Sequence, residues 1–310
     1  MKRWLLMLIL AAVILSAGSS AAAEKVTLML DWFPNVDHLP VYVAKEGGYF
    51  AEEKIDLVIV SPSDTSDALK LAVAGQVDLA VSYEPQTIIA AAEGLPVQVV
   101  GRLVAHPLTT LLFLKERGYS TPAALSGQAI GYTVPGLMDV LLVAFAERNG
   151  IVDYTPVNVG FNIVPALTSG KVAAVMGPFK TYETVTMAAK GIEAAYFELE
   201  QWGIPDYDEL IFICGARTLA AKPDIIAGFR RAVARGLEAA HTRPEEALQT
   251  YLNAVPDVDP AIERAAFERT RPYFARTQDF DRARWQVFAD FALANGLIER
   301  PVDVRSLLAP

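Results

Sequence analysis

Aromatic rings and carboxylates recur together at a few places in this chain, with hardly a cation beside them. Asp31, Trp32, Phe33, Pro34 and Asn35 follow the apolar run VTLML, and His38 comes three residues later. Ser82, Tyr83 and Glu84 follow VDLAV; Thr133, Val134, Pro135 and Gly136 follow QAIGY. Pro178, Phe179, Tyr182 and Glu183 follow KVAAVMG, and Trp202 stands in QWGIPDYDEL. Such an inventory suits a flat heteroaromatic ring. Aromatic side chains stack on its faces, each good pair adding roughly 0.5–1.5 kcal/mol beyond burial, and carboxylates accept hydrogen bonds from ring amino groups. A phosphate or sulfonate would instead ask for Arg, Lys or clustered backbone donors. Lys180 and Arg102 are the nearest basic residues and form no cluster, so the expected ligand is neutral or weakly basic. The competing reading of Trp32, Phe33, Tyr83 and Tyr182 is plain packing. Consecutive strand residues point opposite ways, so only one of Trp32 and Phe33 is expected to face a ligand. Glu183 could equally be a surface carboxylate, and His38 could orient its loop rather than touch a ligand.

Signatures of covalent, metal or nucleotide chemistry are missing. The three histidines, His38, His106 and His241, are dispersed, and neither HExxH nor CxxC occurs. There is no GxxxxGK[ST] loop, no GxGxxG after a strand and no GxSxG. Most carboxylates sit on helices beside basic residues, as in PEEALQ and AIERAAFERT, the pattern of a solvated helix face. Cys214, the only cysteine, lies in the apolar run LIFICG and reads as a small buried hydrophobe. The residues point to capture rather than conversion, and call for no cofactor.

The elements that must hold these residues alternate between short β-rich runs and helical ones, which argues for an α/β protein with largely parallel sheet. VTLML, DLVIV and VDLAV read as strands, with SDALKLAVA a helix stopped by Gly75. The same order returns about a hundred residues later. QAIGYTV, TPVNVG and KVAAVMG read as strands, with helices ending at Gly150 and Gly170 between them. AVAGQVDLAVSYEP from Ala72 lies over ALTSGKVAAVMGPF from Ala166 in its Gly, its Val and its apolar strand. Two βαβαβ lobes result, each with loops at the carboxyl ends of its strands, where ligands bind in open α/β sheets. Pro107–Leu114 and Glu209–Gly215, extended and apolar, read as two crossings between the lobes; from Lys222 onward the chain reads as helices that return to the first lobe.

At the N-terminus, Lys2 and Arg3 precede WLLMLILAAVIL and then SAGSSAAAE, the pattern of a cleavable secretory signal over residues 1–23. The apolar run is shorter than the ~20 residues a spanning helix needs, and no cysteine stands ready for a lipid anchor. Losing Lys2 and Arg3 takes the formal net charge from −9 to −11. So acidic an exported chain is a poor partner for nucleic acid or anionic lipid. With 53% apolar residues and no disulfide, it must be held by its core.

LDWFPNVDHLPVYVAKEGGYFAEE, with SGKVAAVMGPFKTYE and WGIPDYDELIF, resembles the periplasmic binding proteins of ABC importers that collect pyrimidine precursors of thiamine, and the related pyrimidine-precursor synthases. The likeness covers nearly the whole mature chain. D-W-x-P-N-x-x-H is fairly specific, whereas GYF-x-E-x-x-x-D-L and G-x-V-D-L-A are shared with binding proteins for nitrate and sulfonates. The resemblance implies an α/β two-lobed periplasmic binding protein fold of type II. It implies that Trp32 and an aromatic near Tyr83 sandwich a pyrimidine, with Asn35 and Glu183 recognising its polar substituents. The synthases carry a cofactor-binding Lys and a His in the segment matching VSYEPQT, and a cysteine cluster near that matching LIFICGA. Here those segments hold Tyr83 without Lys or His, and Cys214 alone.

The expectation is thus a soluble, monomeric, periplasmic solute-binding protein that is not an enzyme. Its ligand would be formylaminopyrimidine or hydroxymethylpyrimidine, and its partners a membrane permease with its ATPase. Residues 24–107 would begin lobe 1, 108–211 form lobe 2, and 212–310 complete lobe 1. The binding set is expected to be Asp31, Trp32, Asn35, His38, Ser82, Tyr83, Glu84, Pro135, Gly136, Phe179, Tyr182, Glu183 and Trp202. The rivals are the same fold around riboflavin or another heterocycle, and a pyrimidine synthase or divergent transferase.

Overall fold

The computed structural model describes residues 22–309, so the leader expected over residues 1–23 falls almost wholly outside the described residues. Strands β1 (Glu24–Met29), β2 (Ile55–Val60), β3 (Leu79–Ser82), β4 (Val97–Val104) and β10 (Leu210–Gly215) form one sheet, in the order β2-β1-β3-β10-β4. A second sheet takes β5 (Thr109–Leu114), β6 (Ala129–Tyr132), β7 (Thr155–Asn158), β8 (Ala174–Phe179) and β9 (Ala194–Glu198), in the order β7-β6-β8-β5-β9. The internal repeat is therefore a repeat of topology. In each sheet three parallel strands place the first between the second and third. Glu24–Met29 runs beside Ile55–Val60 with Leu28 opposite Leu79, and Ala129–Tyr132 runs beside Thr155–Asn158 with Ile130 opposite Ala174.

The fourth place in each sheet goes to an antiparallel strand, β10 in the first and β5 in the second. LIFICG and TTLLFL are buried at every residue, as strands covered on both faces must be. This corrects the sequence reading: Pro107–Leu114 and Glu209–Gly215 are mostly sheet strands rather than bare crossings. The chain passes between the sheets at residues 105–108 and 199–209, where a buried carboxylate ties the two passages together. Glu209 accepts hydrogen bonds from the Leu108 N–H at 2.5 Å, the Thr109 N–H at 2.7 Å and the Thr109 hydroxyl at 2.8 Å. Its neighbour Asp208 anchors the second passage, accepting from Arg102 Nη2 at 2.6 Å, Trp285 Nε1 at 2.8 Å and Arg284. β4 and β9, which the alternation of apolar runs does not single out, fill the far edges.

The C-terminal helices return to the first sheet. Pro223–Thr242 crosses Leu39–Glu46 so closely that a Cβ on Gly236 would lie 2.0 Å from the Pro40 carbonyl oxygen, a contact only glycine permits. Asp259 and Asp281 cap Pro260–Thr270 and Arg282–Ala294 through their carboxylates. Leu308 then pairs with Val99 of β4. Among the described residues no helix is long and apolar enough to cross a membrane.

Candidate functional site

Strand β1 ends at Met29, and the next residues turn sharply because Asn35 makes them turn. Its backbone is extended, and its Oδ1 accepts the Asp37 N–H at 2.8 Å, capping the short turn Val36–His38 that leads into Leu39–Glu46. Asn35 thus spends its acceptor on its own loop. Pro40, in the first turn of that helix, gives up an N–H the helix would not use. The geometry throws Asp31, Trp32, Asn35, Asp37 and His38 onto one wall of a cleft between the sheets, with Tyr83 from the end of β3 beside them. The facing wall comes from the second sheet: Thr133 after β6, Ile163 after β7, Gly177 and Phe179 from β8, then Tyr182 and Glu183. Leu210 completes the lining.

Hydrogen bonds sort these polar groups into those already satisfied and those that are not. Asp31 is spent: Oδ1 lies 2.8 Å from His38 Nε2 and Oδ2 accepts the Tyr83 hydroxyl at 2.7 Å. His38 therefore orients the loop through Nε2 and leaves a buried Nδ1 without a partner. Glu183 Oε2 accepts the Phe179 N–H at 2.7 Å. Burial pushes the Glu183 carboxyl up to about 7, against the pull of the amides that donate to it. Burial likewise pushes Asp37 up to about 7, with His38 and the Thr270 hydroxyl opposing. Tyr182 donates to Glu263 Oε1 at 2.8 Å, joining the second sheet's wall to Pro260–Thr270. The cations stand aside: Lys180 pairs with Glu198 and Glu200 at 2.7 Å each, and Arg102 with Asp208.

An aromatic cover bridges the two walls. Phe161, between β7 and Ile163, lies edge-on to Trp32 with centroids 4.5 Å apart, and tilts over Phe33 at 4.6 Å. Trp32 lines the cavity and also packs against the second sheet's apolar cluster, whereas Phe33 turns outward and is half exposed. Only one of the two adjacent rings faces inward, although both lie in the bend beyond β1 rather than on the strand.

Five residues of the expected set lie outside the cavity lining. Ser82 and Glu84 flank Tyr83 and point the other way. Ser82 donates to Gln86 Oε1 at 3.0 Å; Glu84 accepts the Asp208 N–H at 2.7 Å, behind the wall. Pro135 and Gly136 turn outward after Thr133, with the Gly136 N–H on Asp139 at 2.7 Å. Trp202 packs on Phe197, its carbonyl accepting from Asn149. Asp37, Ile163, Gly177, Leu210 and Phe161 were not singled out from sequence. Of these only Asp37 carried a signal, an acid inside D-W-x-P-N-x-x-H.

The family model for NMT1/THI5-like proteins matches residues 35–247. The chain belongs to this family. Among its relatives is a formylaminopyrimidine-binding protein of Halalkalibacterium halodurans, 32% identical over 298 residues, which cover 93% of this chain and 90% of that one. Another is a 4-amino-5-hydroxymethyl-2-methylpyrimidine phosphate synthase of Legionella pneumophila, 30% identical over 263 residues, 83% and 82% of the two chains. Among solved structures, the alkanesulfonate-binding protein of Xanthomonas axonopodis superposes with a TM-score of 0.74 at 17% identity, over 94% of this chain and 99% of that one. The NMT1/THI5-like chain thus has the two-lobed periplasmic binding protein fold, in a family that holds a binding protein and synthases alike.

Proposed function

We propose that this chain is the periplasmic solute-binding component of an ABC importer, and that it captures a thiamine-type pyrimidine, formylaminopyrimidine or hydroxymethylpyrimidine, in the cleft between its sheets. One observation carries the reading: the cleft is lined by Trp32, two tyrosines and four acid or amide side chains, with no Lys or Arg among the lining residues. A ring stacked on Trp32 would give its amino and ring nitrogens to Glu183 and its neighbours, and closure would exclude water from those bonds. On this reading residues 24–107 and 212–310 form one lobe and 108–211 the other. A signal over residues 1–23 delivers a monomer to the periplasm, where a permease and its ATPase read the closed form. The chain is not an enzyme on this reading, because the groups at the matching positions are poor reagents. Tyr83 is tied to Asp31, and Cys214 is fully buried in β10 with burial pushing its thiol up to about 12.

Calorimetric titration of ligand-stripped protein with formylaminopyrimidine tests the proposal. One-to-one binding is expected, with a thermal shift matching the ~2.7 kcal/mol conferred by ligand at about a hundred times its Kd. Trp32→Ala and Glu183→Gln should each weaken it by about tenfold or more. Unchanged affinity in both variants refutes the site, and a flat wild-type titration refutes the ligand.

A further inference from the structure

Asp37 is the one cavity residue with a fully buried oxygen that nothing in the protein satisfies. The side chain is 1% exposed. Its Oδ1 accepts the Thr270 hydroxyl at 2.9 Å, and its Oδ2 has no partner. A buried carboxyl with a bare oxygen is costly, and proteins seldom keep one without a use for it. The groups packed around it direct their hydrogen bonds elsewhere, and the His38 Nδ1 meets no partner either. His38, next in the chain, gives Nε2 to Asp31; Tyr83 donates to Asp31; Tyr182 donates to Glu263. Glu183, on the facing wall, is another acid, and the Asp37 N–H is already held by Asn35. One histidine therefore stands among four carboxyls, Asp31, Asp37, Glu183 and Glu263, and no group of the chain donates to Oδ2.

We propose that Asp37 is a ligand-binding, specificity-determining residue: Oδ2 receives an N–H or O–H of the ligand from the first sheet's wall while Glu183 receives another from the facing wall. The cleft then takes rings that carry hydrogen-bond donors on two separate edges, as an aminopyrimidine with a donor-bearing side arm does. It rejects rings that present only acceptors at those edges, because two carboxylates would be left facing lone pairs in a dry cavity. This inference rests on the reading that a heteroaromatic ring fills the cleft. It adds a physical consequence that does not need the ligand: in the empty protein the two walls bring two acids together with Oδ2 of Asp37 unmet, and an ionised Asp37 weakens the closed, ligand-free form.

Asp37→Asn tests both parts. The amide still accepts from Thr270 but sets an NH2 group where Oδ2 was. Wild type should bind the 4-aminopyrimidine over its 4-oxo counterpart by roughly tenfold or more, the worth of one charge-assisted hydrogen bond. The variant should lose most of that preference. Ligand-free Asp37→Asn should melt at or above wild type at about pH 8, with the gap narrowing toward about pH 5, where the wild-type carboxyl is protonated. A variant that keeps the full preference, or that melts well below wild type at about pH 8, overturns the inference. If wild type binds neither ring, the pyrimidine reading falls by itself, and the ligand-free melts still decide whether Asp37 is held unpaired.

Discussion

Phe161→Ala should leave the cavity walls intact and remove the cover. The Phe161 ring touches two others, Trp32 at 4.5 Å and Phe33 at 4.6 Å, and both contacts join the second sheet's side of the cleft to the first. At roughly 0.5–1.5 kcal/mol per aromatic pair, the two supply about 1–3 kcal/mol to the closed form. On the proposed function the ligand leaves past these rings, so their loss should speed release by about 5- to 150-fold. Association begins from the open form, where the rings are apart, and should change little. Phe33→Ala removes one of the two contacts and should give a smaller acceleration. Stopped-flow displacement, followed by Trp32 fluorescence, separates the two rates. Release unchanged within about twofold in Phe161→Ala would refute the reasoning, as would equal changes in both rates, since a true latch acts on the closed state alone.

Glu209 ties the two passages between the sheets, and burial pushes its carboxyl up to about 7 against the pull of its amide and hydroxyl donors. A folded pKa raised above the unfolded value contributes stability that is whole below about 4.5 and is lost as pH rises through about 7. One such group is worth at most about 3 kcal/mol. Thermal melts of ligand-free protein should therefore decline from acid toward alkaline pH, and Glu209→Gln should flatten part of the slope; an unaltered slope would rule Glu209 out. Gly177 has φ +124°, and a Cβ there would fall 2.0 Å from Thr133 Oγ1. Gly177→Ala should destabilise by roughly 1–3 kcal/mol from backbone strain alone, and an unmoved denaturation midpoint would contradict this.

The legible parts of the sequence were those where local chemistry and position agree. The β1 and β8 ends carried a run of apolar residues, then a break rich in aromatic and acidic groups, so Asp31, Trp32, Phe179, Tyr182 and Glu183 could be placed at the cleft. The internal repeat was legible because both halves bury the same faces in the same order. Ser82 and Glu84 misled because Ser82 alternates away from Tyr83 at the strand end and Glu84 already heads the next helix. Phe161 and Ile163 follow β7, a short edge strand with three exposed residues of four, which leaves no apolar pattern to flag them. Asp37 lay inside the most conspicuous motif, yet its importance is a matter of unmet hydrogen bonding, which only three-dimensional neighbours reveal. The strand identity of β5 and β10 was hidden by their place between the lobes in sequence.

That strand exchange bears on how the molecule is made. β4 pairs with β10, and its further bridges reach Phe274 and Leu308, so every strand partner it has lies beyond residue 209. On the other side β10 joins β3, with Ile211 opposite Ser82, which closes a chain loop of more than a hundred residues. The first sheet of this chain is consequently the last to be finished. A ribosome or a translocation channel delivering the N-terminus first hands over a three-stranded fragment whose apolar β4 has nowhere to dock. Such long-range pairing folds slowly, and the order of the strands keeps the emerging chain open until its last third is delivered.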